Sequence, residues 1–137
     1  MTTTTNESQY IGTGEQSTQK ILQQLFPHCR VLSQFPLAKL IPESIKELGS
    51  EYSKHLCDLF VLGKDMALVI EVNLKHGTLA HKKWKVYKEH LEAQCYDTMT
   101  IDDNECTHLF ESDPDNLTWA DYEDVIASLE LAGIKPR

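Results

Sequence analysis

Two β-rich runs set back to back constrain this chain most: "KHLCDLFVL" (54–62) and "MALVIEVNL" (66–74), with only "GKD" between them. Runs of this kind joined by a three-residue connection containing glycine predict an antiparallel hairpin. Polar residues inside such apolar text stand out. Asp58 interrupts the first run, and Glu71, Asn73 and Lys75 take every second position in and just after the second. Because side chains alternate along a strand, those last three are expected on one face.

The flanking text supplies the remaining elements. "STQKILQQLFP" predicts a short amphipathic helix with Ser17 as its N-cap, closing at Pro27. "CRVLSQF" predicts a strand ended by Pro36, and residues 36–55 read as a loop with a helical turn or two. A helix is expected from about Thr78 to Ala93, with Ala80, Trp84, Tyr87 and Leu91 as its buried stripe. "CYDTMTID" then predicts a strand, "NECTHLF" a short helix capped by Asp102 or Asp103, and "WADYEDVIASLELA" a final helix capped by Thr118. Trp84, Tyr87, Trp119 and Tyr122 are expected in the core.

The order is α-β-β-β-α-β-α-α, which predicts an α/β (α+β) domain with a mixed central sheet flanked by helices. Residues 13–137 form one domain in this reading, and the polar stretch 1–12 reads as a disordered tail. A chain of 137 residues is long enough to bury roughly 70% of its unfolded surface. It holds no apolar run of membrane-spanning length and begins without a secretion-signal pattern, so a cytoplasmic protein is expected. Cys29, Cys57, Cys95 and Cys106 are widely spaced single residues, read as small buried side chains. A metal set of Cys57, Cys95, Cys106 and His108 is the minor alternative, since zinc ligands usually come in close pairs.

The net charge of −8 argues against a nucleic-acid partner until its distribution is considered. Five lysines (Lys75, Lys82, Lys83, Lys85, Lys88), His76 and His81 fall between positions 75 and 88 with no acid among them. Ten acids and no Lys or Arg fall between Asp102 and Glu130. A local basic stripe attracts phosphate whatever the total charge, although a solvated helix face accounts for the same lysines.

The carboxylates pose a separate question. Asp58 and Glu71 on paired strands would repel each other, and an isolated carboxylate there carries a desolvation cost. A shared divalent cation is the simplest relief, and hard oxygen donors suit Mg²⁺ or Mn²⁺. A structural bridge to Lys64 or Lys75 is the plainer alternative for Asp58.

The stretch "CDLFVLGKDMALVIEVNLKHG" resembles the PD-(D/E)XK nuclease superfamily: an acid in one strand, an acid with a partner two residues on in the next, then a helix. With "RVLSQFPL" ahead of the hairpin and a histidine soon after it, the text resembles the very-short-patch-repair-like, restriction-endonuclease-like branch. The resemblance covers roughly residues 17–110. It implies Asp58 and Glu71 as metal carboxylates, with Asn73 at the usual position of the catalytic lysine. It also implies that His76 or Lys75 supplies the missing help to the attacking water, with Gln34 as an accessory group. The superfamily often carries a glutamate in its first helix. The helix read from Ser17 has none, and Gln19 and Gln23 stand in its place.

The function so implied is a Mg²⁺- or Mn²⁺-dependent endonuclease acting on nucleic acid, DNA first. Lys75, Lys82, Lys83, Lys85 and Lys88 would hold the phosphate backbone. The alternative is a catalytically inactive module on the same fold that binds nucleic acid, or a basic protein partner through residues 102–130. Nucleases of this size often act as homodimers, though nothing in the sequence marks an interface.

Overall fold

The computed structural model describes residues 13–135. The elements are α1 (Thr13–Leu25), β1 (Arg30–Pro36), α2 (Pro42–Leu48), β2 (Leu56–Gly63), β3 (Met66–Val72), α3 (Leu79–Ala93), β4 (Asp97–Ile101), α4 (Thr107–Phe110) and α5 (Trp119–Leu131). Single 3₁₀ turns at Leu37–Lys39 and Ser50–Tyr52 flank α2. The tail expected at 1–12 lies outside the described residues.

The strands form one mixed sheet in the order β1-β2-β3-β4. The β1–β2 and β2–β3 pairs are antiparallel, and β3–β4 is parallel. A parallel neighbour needs a crossover, which α3 supplies. Trp84, Tyr87 and Leu91 of α3 pack on Phe60 and Val69 to form one core. Leu68 and Ile70, alternating with Val69 on β3, face the opposite core with Ile21 and Leu22 of α1, Leu109 of α4, and Val125 and Leu129 of α5. Helices therefore cover both faces, as the element order requires.

Several local expectations need correction. Helix α1 begins at Thr13, one turn before the expected start, so Ser17 is no cap. It is buried inside the helix and its hydroxyl meets Ser112. The hairpin is tighter than "GKD" suggests, because Gly63 pairs with Met66 and leaves only Lys64 and Asp65 to turn. A Cβ at Gly63 would lie 2.4 Å from Cys29 Sγ, so the glycine lets β2 run on past that thiol. Helix α4 is not capped by Asp102 or Asp103; the Leu109 N–H donates to Asp124 Oδ2 of α5 at 3.0 Å. Ala80 is exposed. Trp119 is 70% exposed rather than in the core, with its ring stacked on half-buried Tyr122.

Two helix starts behave as their sequences predict. The Thr78 hydroxyl accepts the His81 N–H at 3.1 Å and opens α3. Thr118 and Asp121 form a reciprocal capping box at α5.

Candidate active site

The sheet opens where β1, β2 and β3 carry their polar residues. The β2–β3 register ends at Leu59–Ile70, just short of Asp58 and Glu71. Beyond it side chains replace the ladder. The Asp58 N–H donates to Glu71 Oε2 at 3.1 Å, and the Val72 N–H donates to Asp58 Oδ2 at 2.7 Å. Buried backbone N–H groups need an acceptor, and here two carboxylates act as one. The β1–β2 register is likewise broken at Gln34, between Ser33–Leu59 and Phe35–Cys57. Gln34 has φ 52, the left-handed region that a non-glycine residue adopts at a cost.

That backbone turn brings the Gln34 amide to two acids. Its Nε2 donates to Glu15 Oε2 at 2.9 Å and lies 3.5 Å from Asp58 Oδ1. Glu15 is on the first turn of α1 and only 9% exposed. Its neighbour Gly14 packs under the Phe110 ring, where a Cβ would lie 2.4 Å from Cδ1. Glu71 is 4% exposed, and His55 Nε2 lies 3.3 Å from its Oε1 without an aligned hydrogen bond. The His55 ring stacks on Tyr87 at 4.9 Å, and the Tyr87 hydroxyl donates to Tyr52 O at 2.7 Å.

Three carboxylates are thus gathered in a low-dielectric place. Burial pushes the Glu15 carboxyl up to about 7; the Gln34 hydrogen bond pulls against that rise, and the charges of Asp58 and Glu71 add to it. Burial, then the charge of Glu71, pushes Asp58 up to about 6 against the Val72 and Gln34 hydrogen bonds. Among the described residues, the lysine ion pairs are Lys20–Asp115, Lys75–Asp103 and Lys88–Glu92, and none reaches these acids. The structural bridge weighed for Asp58 is therefore not made by Lys64 or Lys75. Among the described residues no three His, Cys, Asp or Glu side chains form a ready metal cage. The oxygen donors fit Mg²⁺ nonetheless, since that ion is usually bound by one or two carboxylates and keeps several waters.

The rest of the expected row does not line up. Strand β3 ends at Val72, and Asn73 has φ 58 with its N–H donating to Ile101 O at 2.6 Å. Asparagine tolerates this conformation, and the turn breaks the alternation that would have set Asn73 and Lys75 beside Glu71. Lys75 reaches Asp103 at 3.0 Å instead. His76 packs edge-on against His81, ring centroids 4.4 Å apart, in a cavity between α3 and β4 whose lining excludes Asp58 and Glu71.

Of the helix lysines, Lys82 and Lys85 are exposed, and Lys88 lies 3.8 Å from Glu92. Lys83 is turned away, donating to Glu51 O at 2.7 Å over the Tyr52 ring. Gln19 and Gln23 bind the backbone of Cys29 and Val31 and fix the entry to β1. The α1 acid that approaches Asp58 through Gln34 is Glu15. Cys57 is buried in one core, Cys106 in the other, and Cys95 is exposed, so no cysteine site is assembled.

Sequence reasoning missed Glu15 and His55. The apolar positions 21, 22 and 25 extend backward through Thr18 to Gly14, a signal that α1 starts early enough to include Glu15. His55 lies just outside β2, where strand alternation carries no information. No protein-family profile, curated protein or solved structure matches the chain.

Proposed function

We propose that this chain is a metal-dependent endonuclease with a restriction-endonuclease-like fold, hydrolysing phosphodiester bonds of nucleic acid, with DNA as the first substrate to test. One observation carries the reading: Asp58 and Glu71 meet where β2 and β3 part, joined by Glu15 and countered by no lysine. Buried acids with only the His55 imidazole beside them are the condition that a divalent ion relieves. Asp58 and Glu71 would hold Mg²⁺ or Mn²⁺, with Glu15 as the first-helix acid that the resemblance calls for. When bound, the ion would supply Lewis-acid charge to the scissile phosphate and lower the pKa of water.

The chain's own residues do the positioning. Gln34 fixes the spacing of Glu15 and Asp58 by donating toward both. His55, held by its stack on Tyr87, limits the swing of Glu71. The exposed Lys82 and Lys85 suit contacts to the phosphate backbone, which position a strand without reading its sequence.

A second reading, a nuclease-like binding module without catalysis, is favoured by one specific observation. Asn73 takes the lysine position, and Lys75 is engaged by Asp103, so no ammonium group among the described residues reaches the acids. Part of the acidic segment folds back on the domain in the same way, through Lys75–Asp103 and Lys20–Asp115, and the exposed remainder suits a basic partner. Incubating the purified chain with single-stranded, double-stranded and branched DNA in Mg²⁺ or Mn²⁺ separates the two readings. Cleavage that is lost in Glu71→Gln supports the endonuclease. No cleavage of any substrate, with binding retained, supports the module.

A further inference from the structure

A second polar concavity lies one strand from the carboxylates. Glu71 on β3 is in register with Thr100 on β4, and neighbours in register point to the same side of a sheet. Thr100 lines a cavity of about 320 Å³ between β4 and α3, with Leu74 and Trp84 as its large apolar side chains. His76, His81, Lys85 and Lys88 converge on its rim. His76 precedes Thr78, the N-cap of α3, and His81 belongs to the first turn, so the cavity runs along the flank of this helix from that turn to Lys88.

The groups at this cavity are too many for simple solvation. Lys85 is exposed and has no ion pair among the described residues, while Lys88 is only loosely held by Glu92 at 3.8 Å. Thr98 is occupied in donating to Glu92 at 2.9 Å. One acid, Asp102, lies in the lining, and its Oδ1 is buried with no hydrogen-bond partner. Desolvation, then the nearby charges of His76 and Lys85, lower the His81 pKa, and Asp102 acts against them.

We propose that this cavity binds a terminal phosphate monoester of a nucleic-acid strand, held by Lys85, Lys88 and the His76–His81 pair. A monoester carries about −1.5 to −2 charges near neutral pH, against −1 for an internal diester, and so matches two ammonium groups better. The inference deepens the nuclease reading, on which the identity of the strand rests: a strand end seated here would lie one β-strand from Asp58 and Glu71. The substrates would be strands cut internally near a phosphorylated end.

The test is a binding measurement on the whole chain in EDTA, so that cleavage plays no part. Anisotropy is read with one short single-stranded oligonucleotide bearing a 5′-phosphate, a 3′-phosphate or hydroxyls at both ends. The expected result is at least about tenfold tighter binding of one phosphorylated form than of the hydroxyl form at about 0.15 M salt. The preference should fall to within about twofold in His81→Ala/Lys85→Ala and in the milder Lys85→Gln/Lys88→Gln, and should persist in Asp58→Asn. Equal affinity for all three oligonucleotides overturns the proposal, as does a preference that survives both double variants. Inorganic phosphate that shifts the imidazole resonances of His76 and His81, without any end preference, assigns the pocket to free phosphate and overturns the strand-end claim. A preference found in a chain that cleaves nothing leaves the pocket standing and removes the nuclease reading; cleavage without a preference does the reverse.

Discussion

Asp58 and Glu71 take each other's place in the β2–β3 ladder: the Glu71 carboxylate accepts the Asp58 N–H, and the Asp58 carboxylate accepts the N–H of Val72, the residue after Glu71. The two acids therefore both hold the strands together and repel each other. Replacing charge and replacing the acceptor should have different effects. Asp58→Asn keeps an oxygen for Val72 and removes the repulsion, so its stability in urea should stay within about 1 kcal/mol of the parent. Asp58→Ala leaves the Val72 N–H without an acceptor and should cost about 1–3 kcal/mol. Both should lose any stabilisation by Mn²⁺.

Burial raises Glu15 to about 7 and Asp58 to about 6, so the folded state binds more protons than the unfolded chain between those values and the ordinary carboxylate range. The sign follows directly. The stability these groups contribute is present in full below their unfolded pKa values and is lost as pH rises through the folded ones. Metal-free protein should therefore be less stable at pH ~8 than at pH ~5, by no more than about 4 kcal/mol from this source. Glu15→Gln should flatten that fall, and Mn²⁺ should offset it at the higher pH. Thermal melts across pH, with and without the ion, read all three.

Gln34 is held at φ 52 so that its amide can meet Glu15 and Asp58. Gln34→Gly relieves the backbone and should change stability by less than about 1 kcal/mol, while weakening Mn²⁺ binding through the loss of spacing. Gln34→Val puts a β-branched residue in a left-handed conformation and should cost about 2 kcal/mol or more. Denaturant midpoints and Mn²⁺ titration of the two variants separate strain from function.

Gly14 seats the first turn of α1 under Phe110, where an added methyl would lie 2.4 Å from the ring. Gly14→Ala should destabilise by about 1–3 kcal/mol despite the better helix propensity of alanine. Paired with Phe110→Leu, which opens room, most of that loss should return. A double-mutant cycle in urea measures it.

The architecture was legible because it rests on periodicity. Alternation and turn residues marked β2 and β3, and the spacing of Trp84, Tyr87 and Leu91 marked the buried face of α3. The pair Asp58 and Glu71 was legible for the same reason, as polar residues interrupting apolar strands. What escaped lies where periodicity stops. Gln34 and Asn73 have left-handed backbones, which turn side chains out of the faces that alternation assigns. Glu15 was hidden because Ser17 resembles a cap, whereas its hydroxyl is used in a buried contact with Ser112. His55 and His76 sit in connections and His81 on the first turn of α3, and only the tertiary fold brings them to Glu71 and to the β4 cavity. Trp119 shows the converse: an aromatic at a helix start reads as core, yet it is 70% exposed.

The most direct test of the central claim is Mn²⁺ titration at pH ~7.5, followed by electron paramagnetic resonance, of the parent chain, Asp58→Asn and Glu71→Gln. The account predicts a tight site in the parent that is lost in each variant, with both variants folded by circular dichroism. Equal Mn²⁺ binding in all three proteins, or none in the parent at millimolar ion, would contradict it.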